Sequence, residues 1–272
     1  MPFQSILFPT DFSQDAYDAV PYVRAAVERF GASLRLVHAL DVPVSAYASP
    51  KGFEGTKWDF RHLREDAERA LASFAAEQFP GPRPDTFLQT GDPARAIVET
   101  ARSTTADLIM MPTHGHGRFR SMLLGSVTAK VLHDAECPVW TSHTKREPAS
   151  YTARPEWGRM VVAVDLGPES VKLLQFVKEI ANATGSTVRL VHAPYSADEP
   201  PDELAKMQES AGTNFEVSRG PGTVAKVVGD ACVRDRADLL VIGRGGTSAL
   251  AGRLRTHAYT LVRDAPCPVL SL

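Results

Sequence analysis

Two short stretches of this 272-residue chain carry residue types that can hold an anion. Residues 112–117 read Pro-Thr-His-Gly-His-Gly, and Gly125-Ser126 follow with nine residues between Gly115 and Gly125. Glycine lets backbone N–H groups approach a phosphate closely. The run Val127 to His133 is helical in pattern, and a helix N-terminus offers free N–H donors at the positive end of its dipole. The Ser126 hydroxyl adds a donor. Together these residues make an anion cradle that needs no lysine. Asp11 and the pair His38-Ala39 stand at the ends of two apolar runs, Ile6 to Pro9 and Leu34 to His38.

These residues recur, because the chain is written twice. Residues 6–39 open ILFPTDFS and close RLVHA; residues 160–193 open MVVAVDLG and close RLVHA. Asp11 precedes His38 by 27 residues, and Asp165 precedes His192 by the same 27. Asp107-Leu-Ile-Met-Met matches Asp238-Leu-Leu-Val-Ile, and Cys137-Pro-Val matches Cys267-Pro-Val. A repeat this long is a repeated domain rather than a solenoid unit.

Short apolar runs alternate with helical periods along each copy. Ile6–Pro9 reads as a strand and Ala16–Phe30 as a helix, with Ser13 as its N-cap and Gly31 as its left-handed stop. Strand Leu34–His38 follows, then a long connection to a charged helix over Trp58–Phe79. Strand Thr86–Gln89, helix Pro93–Ser103, strand Leu108–Met111, helix Ser121–His133 and strand Pro138–Thr141 complete the copy. This alternation predicts an α/β fold: two tandem doubly wound, mostly parallel sheets with helices on both faces. Ligands of such sheets bind beyond the carboxyl ends of the strands, where strand order reverses. The expected boundaries are a first domain over 1–143, a polar linker over 144–157 and a second domain over 158–272. The second copy is shorter, with only a brief helical segment, Asp202 to Ser210, in place of the long second helix.

Composition sets the setting. Apolar residues make 43% and charged residues 23%, as in ordinary globular proteins. Thirty basic residues face 32 acidic ones, so no nucleic-acid or membrane-surface partner is expected. No apolar run is long enough for a membrane helix, and the N-terminus reads as a strand rather than a signal peptide. Three cysteines form no even framework, so a cytoplasmic location is expected.

The opening Pro9-Thr-Asp-Phe-Ser, the strand end Val37-His38-Ala39, Asp107-Leu-Ile-Met-Met-Pro-Thr-His-Gly, Leu124-Gly-Ser-Val-Thr and Cys137-Pro-Val together resemble the universal stress protein family, in a tandem two-domain form. Nucleotide-binding members of that family share a signature of glycine, two residues, glycine, nine residues, then glycine with serine or threonine. The first copy keeps this spacing but has Pro112 at the first glycine. Proline donates no N–H and fixes φ near −65°. Pro112 is harmless if the position needs only an extended strand end, and it is not if positive φ is required.

The resemblance implies ATP or a related adenine nucleotide as ligand, with Mg as an optional companion. Asp11 and the backbone of Ala39 would meet the adenine, with Pro9 and Thr10 along that edge. Met111, Pro112, His114 and Gly115 would wall the ribose and phosphates, and Gly125, Ser126, Val127 and Thr128 would hold the phosphates. It also implies pairing of the last strands of the two domains, a pseudo-dimer within one chain. Two such tandem chains would form a homodimer, and an unidentified regulatory protein would be a partner. The second copy keeps Asp165, His192 and Gly243/Gly246, but Arg255-Thr256 stand where Gly125-Ser126 belong.

The leading reading is a stress-response, nucleotide-responsive regulator with ATP in its first domain. A nucleotide-free dimerisation or interaction module and a weak ATP hydrolase remain alternatives. No catalytic residue is assigned, because no Walker lysine and no evident general base are present. His114-x-His116 lacks a third ligand, so no metal site is assigned. An electron-transfer-flavoprotein-like or synthetase-like domain is a further alternative, weakened by the absence of an SGGxDS or HIGH phosphate loop at the first strand.

Overall fold

A computed structural model describes residues 1–40, 60–115, 124–142, 154–167, 169–193, 202–244 and 252–272. The first half runs β1 (Ser5–Pro9), α1 (Gln14–Phe30), β2 (Ser33–Leu40), α2 (Phe60–Gln78), β3 (Asp85–Thr90), α3 (Pro93–Ser103), β4 (Leu108–Met111), α4 (Ser126–Asp134) and β5 (Val139–Thr141). The second runs β6 (Arg159–Ala163), α5 (Glu169–Thr184), β7 (Thr187–His192), α6 (Glu203–Ala211), β8 (Glu216–Arg219), α7 (Val224–Asp235), β9 (Leu239–Ile242), α8 (Gly252–Asp264) and β10 (Val269–Ser271).

Local chemistry sets most of these boundaries. Ser13 Oγ accepts the Ala16 N–H and starts α1, and Gly31, at φ 62°, ends it with an N–H bond to Val27 O. The helix therefore begins two residues before the expected Ala16. It carries Pro21 through its interior while burying Ala19, Val20, Val23, Ala26 and Phe30 on one face. Trp58, expected to open α2, lies outside the described residues.

The expected helix from Ser121 is corrected at its start. Leu124 and Gly125 are not helical, and α4 begins at Ser126. The cause is a bond: the Gly125 N–H donates to Thr113 O at 3.1 Å and holds the chain extended, with ψ 138°. In the second half, α6 has nine residues where α2 has 19, the predicted shortening.

All ten strands lie in one sheet, in the order β3-β2-β1-β4-β5-β10-β9-β6-β7-β8. Neighbours pair in parallel except at the centre, where β5 and β10 pair antiparallel, Val139 opposite Ser271 and Thr141 opposite Val269. The tandem domains thus form an intramolecular pseudo-dimer by joining the edges that each would otherwise expose. The apolar core is continuous across this seam on both faces of the sheet.

On one face Phe3 and Phe30 of the first half meet Trp157 and Phe176 of the second. The ring centroids of Phe3 lie 6.1 Å from Trp157 and 5.6 Å from Phe176. Trp157, the last residue of the polar segment 144–157, is buried there. Arg29, in the last turn of α1, donates to Thr184 O at the end of α5. Two buried or half-buried aspartates repeat one structural task. Asp107 accepts the N–H groups of Gln4 and Ser5, and Asp238 those of Arg154 and Arg159. No helix among the described residues is long and apolar enough to cross a membrane.

Candidate functional site

The sheet reverses strand order between β1 and β4, since β2 and β3 continue on one side of β1 and β4 lies on the other. Every site residue expected in the first copy stands at that switch point. Pro9 ends β1, Ala39 lies in β2, Met111 ends β4, and Gly125-Ser126 open α4.

The turn after β1 brings Asp11 inward. Thr10 N–H bonds Val37 O, and Thr10 Oγ1 accepts the Phe12 N–H at 3.1 Å. Phe12 takes the left-handed region at φ 59°, an uncommon conformation for a bulky residue. Its ring lies 4.6 Å from that of His38 and 5.7 Å from Phe74, contacts that hold the strained turn. Asp11 Oδ1 then accepts the Ser13 N–H at 3.0 Å. His38 Nδ1 lies 2.8 Å from Thr10 O. A carbonyl only accepts, so Nδ1 carries a proton and donates it to Thr10 O. His38 is thereby a satisfied strand-end residue.

The loop after β4 closes on this turn. A Cβ on Gly115 would stand 2.2 Å from Asp11 Oδ2, so any larger residue there must push the carboxylate aside. Neither Pro112 nor Gly115 is among the residues with positive φ. Gly115 thus lies tight against the Asp11 carboxylate without left-handed geometry. Pro112 is buried and needs no left-handed geometry.

Gly125 has a firmer constraint. A Cβ there would lie 2.8 Å from Thr113 O. Thr113, which residue-type reasoning passed over, is the hub of the cradle. It is buried, its carbonyl accepts from Gly125 N–H and Thr128 Oγ1, and its own hydroxyl donates to Ser142 O at 3.1 Å. Its only signal in the sequence is its place between Pro112 and His114. Thr128 Oγ1 is also 3.1 Å from Pro112 O, so its single proton is committed to the loop carbonyls. Thr128 therefore offers an anion its backbone N–H rather than its hydroxyl.

Gly125 is the N-cap and has no side chain with which to satisfy the first-turn N–H groups of Ser126, Val127 and Thr128. Ser126 is exposed, and His114 and Gly115 are half-buried. The arrangement can receive a phosphate at the open end of α4 and a hydrogen-bonding heterocycle beside Asp11. The expected His116 lies outside the described residues. Among those described, no three His, Cys, Asp or Glu side chains cluster as metal ligands.

The second copy is built differently at the same places. His192 Nδ1 bonds Val164 O at 2.9 Å, as His38 bonds Thr10 O. Asp165 Oδ1 accepts the Gly167 N–H at 3.0 Å, as Asp11 Oδ1 accepts that of Ser13, but it also accepts the Ser170 hydroxyl at 2.9 Å, bracing the start of α5. Helix α8 starts at Gly252, so Arg255 is its fourth residue rather than its cap, and the helix mouth is displaced by a turn. Gly246 lies outside the described residues.

The profile of the universal stress protein family matches residues 2–143. A universal stress protein of Thermus aquaticus is 38% identical over 138 residues, which are 50% of this chain and 96% of that protein. One from Methanocaldococcus jannaschii is 31% identical over 141 residues, covering 50% of this chain and 80% of that protein. Among solved structures, a universal stress protein of Archaeoglobus fulgidus superposes over 98% of this chain and 95% of its own length, with TM-score 0.74 at 21% identity. One from Pseudomonas aeruginosa covers 99% of this chain with TM-score 0.64. These two share the whole tandem fold. With its matched first half and its duplicated, seam-paired architecture, this chain belongs to the universal stress protein family.

Proposed function

We propose that residues 1–143 form a domain that binds ATP or a related adenine nucleotide, and that the chain acts as a nucleotide-responsive stress regulator. Residues 144–157 link it to the second domain, 158–272, which completes the pseudo-dimer. The observation that carries this reading is the close packing at two glycines, with the firmer constraint at Gly125. A side chain at 115 would strike Asp11, and one at 125 would strike the Thr113 carbonyl. Both glycines keep the backbone within reach of a ligand at the mouth of α4.

In this reading Asp11 and the Ala39 backbone take the adenine, with Pro9 and Thr10 lining that edge. Met111, Pro112, His114 and Gly115 flank the ribose and phosphates. The N–H groups of Ser126, Val127 and Thr128 hold the phosphates, Gly125 leaving room for them. Bound Mg would neutralise phosphate charge, and the protein residues named here act through N–H donors and shape. The setting is cytoplasmic, and tandem chains pair further as homodimers.

Titration calorimetry of the full chain with ATP·Mg tests the reading. One nucleotide per chain is expected, with a rise in melting temperature that grows with ligand concentration. Absence of both heat and thermal shift for ATP, ADP and AMP would instead favour a nucleotide-free interaction module.

A further inference from the structure

The helix that heads the cradle is also held from its other end, by the opposite domain. Arg244 follows β9 in the second copy of the glycine loop, Gly243-Arg244-Gly245-Gly246. Its guanidinium crosses the seam to α4. Nη1 donates to Leu132 O at 3.1 Å and Ala135 O at 2.8 Å, and Nη2 donates to Cys137 O at 2.7 Å. Leu132 O is one of the last-turn carbonyls that an α-helix leaves without an intrahelical donor, and Ala135 is the C-cap of α4. A cation here also meets the negative end of the helix dipole.

The clasp is built into the fold. The Arg244 N–H bonds Leu272 O at 2.7 Å, which fixes the residue against the end of β10. Partial burial lowers the guanidinium's pKa from its ordinary value, yet arginine stays charged in proteins, so a half-buried positive charge rests on three carbonyls. Tyr259 adds a second tie from α8, its hydroxyl donating to Ala129 O at 3.2 Å. Ala129 and Tyr259 lie ten residues before Val139 and Val269, so they are matching positions of the two copies.

In the first copy the residue matching Arg244 is Thr113, whose hydroxyl donates to Ser142 O of its own half. Arg244 thus grips the first domain's helix from across the seam.

We infer that Arg244 is a positioning residue for the nucleotide site of the first domain: its guanidinium is a clamp from the second domain that sets the placement and rigidity of α4. This inference rests on the nucleotide reading of that site, but the clamp itself is measurable without ligand. By linkage, a nucleotide at the α4 mouth also tightens the clamp, which makes the second domain sensitive to occupancy of the first.

The test compares Arg244→Met, which keeps an apolar stem, and Arg244→Lys, which keeps the charge but not the three-way fork. Hydrogen exchange of α4 amides in the free protein is read beside ATP affinity by calorimetry. Arg244→Met is expected to speed exchange in α4 by about tenfold while leaving β1 and α3 unchanged, and to weaken ATP binding by about fivefold or more. Arg244→Lys should fall between it and the parent. Unchanged exchange in α4, or exchange raised equally throughout the chain, overturns the clamp. A loosened α4 with undiminished ATP affinity overturns the positioning role. If the parent binds no nucleotide, the function proposed above fails and the positioning role fails with it, while the exchange arm still decides whether the clamp exists.

Discussion

The carboxylate of Asp11 and the α-carbon of Gly115 are packed so closely that a methyl group on residue 115 would lie 2.2 Å from Oδ2. The two residues are 104 positions apart, and they join the turn after β1 to the loop after β4 across the switch point of the sheet.

That contact predicts a strong coupling. Gly115→Ala should destabilise the first domain by about 1 kcal/mol, the cost of pushing the Asp11 carboxylate out of its place. In an Asp11→Ala background the obstacle is gone, and the same substitution should cost much less. A double-mutant cycle by urea denaturation reads the difference directly. Additive effects would show that residue 115 is glycine for some other reason.

Gly125 has a harder neighbour, the backbone carbonyl of Thr113, which cannot swing away. Gly125→Arg should shift the first turn of α4, abolish ATP binding and leave the sheet intact by circular dichroism. The second half carries Arg255 at the matching place and starts its helix one turn earlier, so a displaced helix start is already compatible with this fold. Undiminished ATP affinity in Gly125→Arg would place the phosphates elsewhere.

Much of the architecture was legible because it follows short-range rules. Ser13, Gly31 and Pro93 mark helix ends by side-chain capping, left-handed φ and fixed φ, each readable from one residue. The seam between β5 and β10 was legible only through the family resemblance, which implied that the last strands of the two copies pair. The site was legible as a list of residues but not as a mechanism. That Gly115 serves Asp11, and that Thr113 anchors α4, depend on contacts between distant loops that no local pattern encodes. Arg244 was invisible for the same reason: it looks like one more solvated arginine beside a glycine turn, and its partners are carbonyls more than a hundred residues away. The start of α4 was misread because helical periodicity continues through Leu124, while a single bond from Gly125 to Thr113 decides where the helix opens.

The N-cap of α3 supplies a pH signature. Asp92 accepts the Arg95 N–H and pairs with Lys130 of α4. Lys130 first, and the cap bond second, hold its carboxyl below the ordinary value of 3.8. A depressed carboxylate pKa means stability that is fully present above that ordinary value and is lost as pH falls through the folded value. Asp92→Ala should therefore cost about 1 kcal/mol at neutral pH, mostly through the lost cap, since an exposed ion pair adds little. The difference between parent and variant should shrink below pH 3.8, as followed by denaturation at a series of pH values. A gap that persists unchanged at lower pH would mean that the charge of Asp92 plays no part.

The two halves should unfold together. Trp157 is buried against Phe30 at 5.4 Å and Phe3 at 6.1 Å, both from the other half, and the apolar clusters on the two faces of the sheet each contain residues from both domains. Neither half can lose its packing without exposing the other's. Trp157→Ala removes a large side chain from this shared cluster and should cost about 3–5 kcal/mol. The transition should nevertheless remain single, with calorimetric and van't Hoff enthalpies in agreement. The expected result is a lowered melting temperature and one peak in both proteins. Two resolved peaks in the parent would show that the β5–β10 seam joins domains that are stable apart. Two peaks in Trp157→Ala alone would show that this aromatic contact, rather than the strand pairing, makes them one unit.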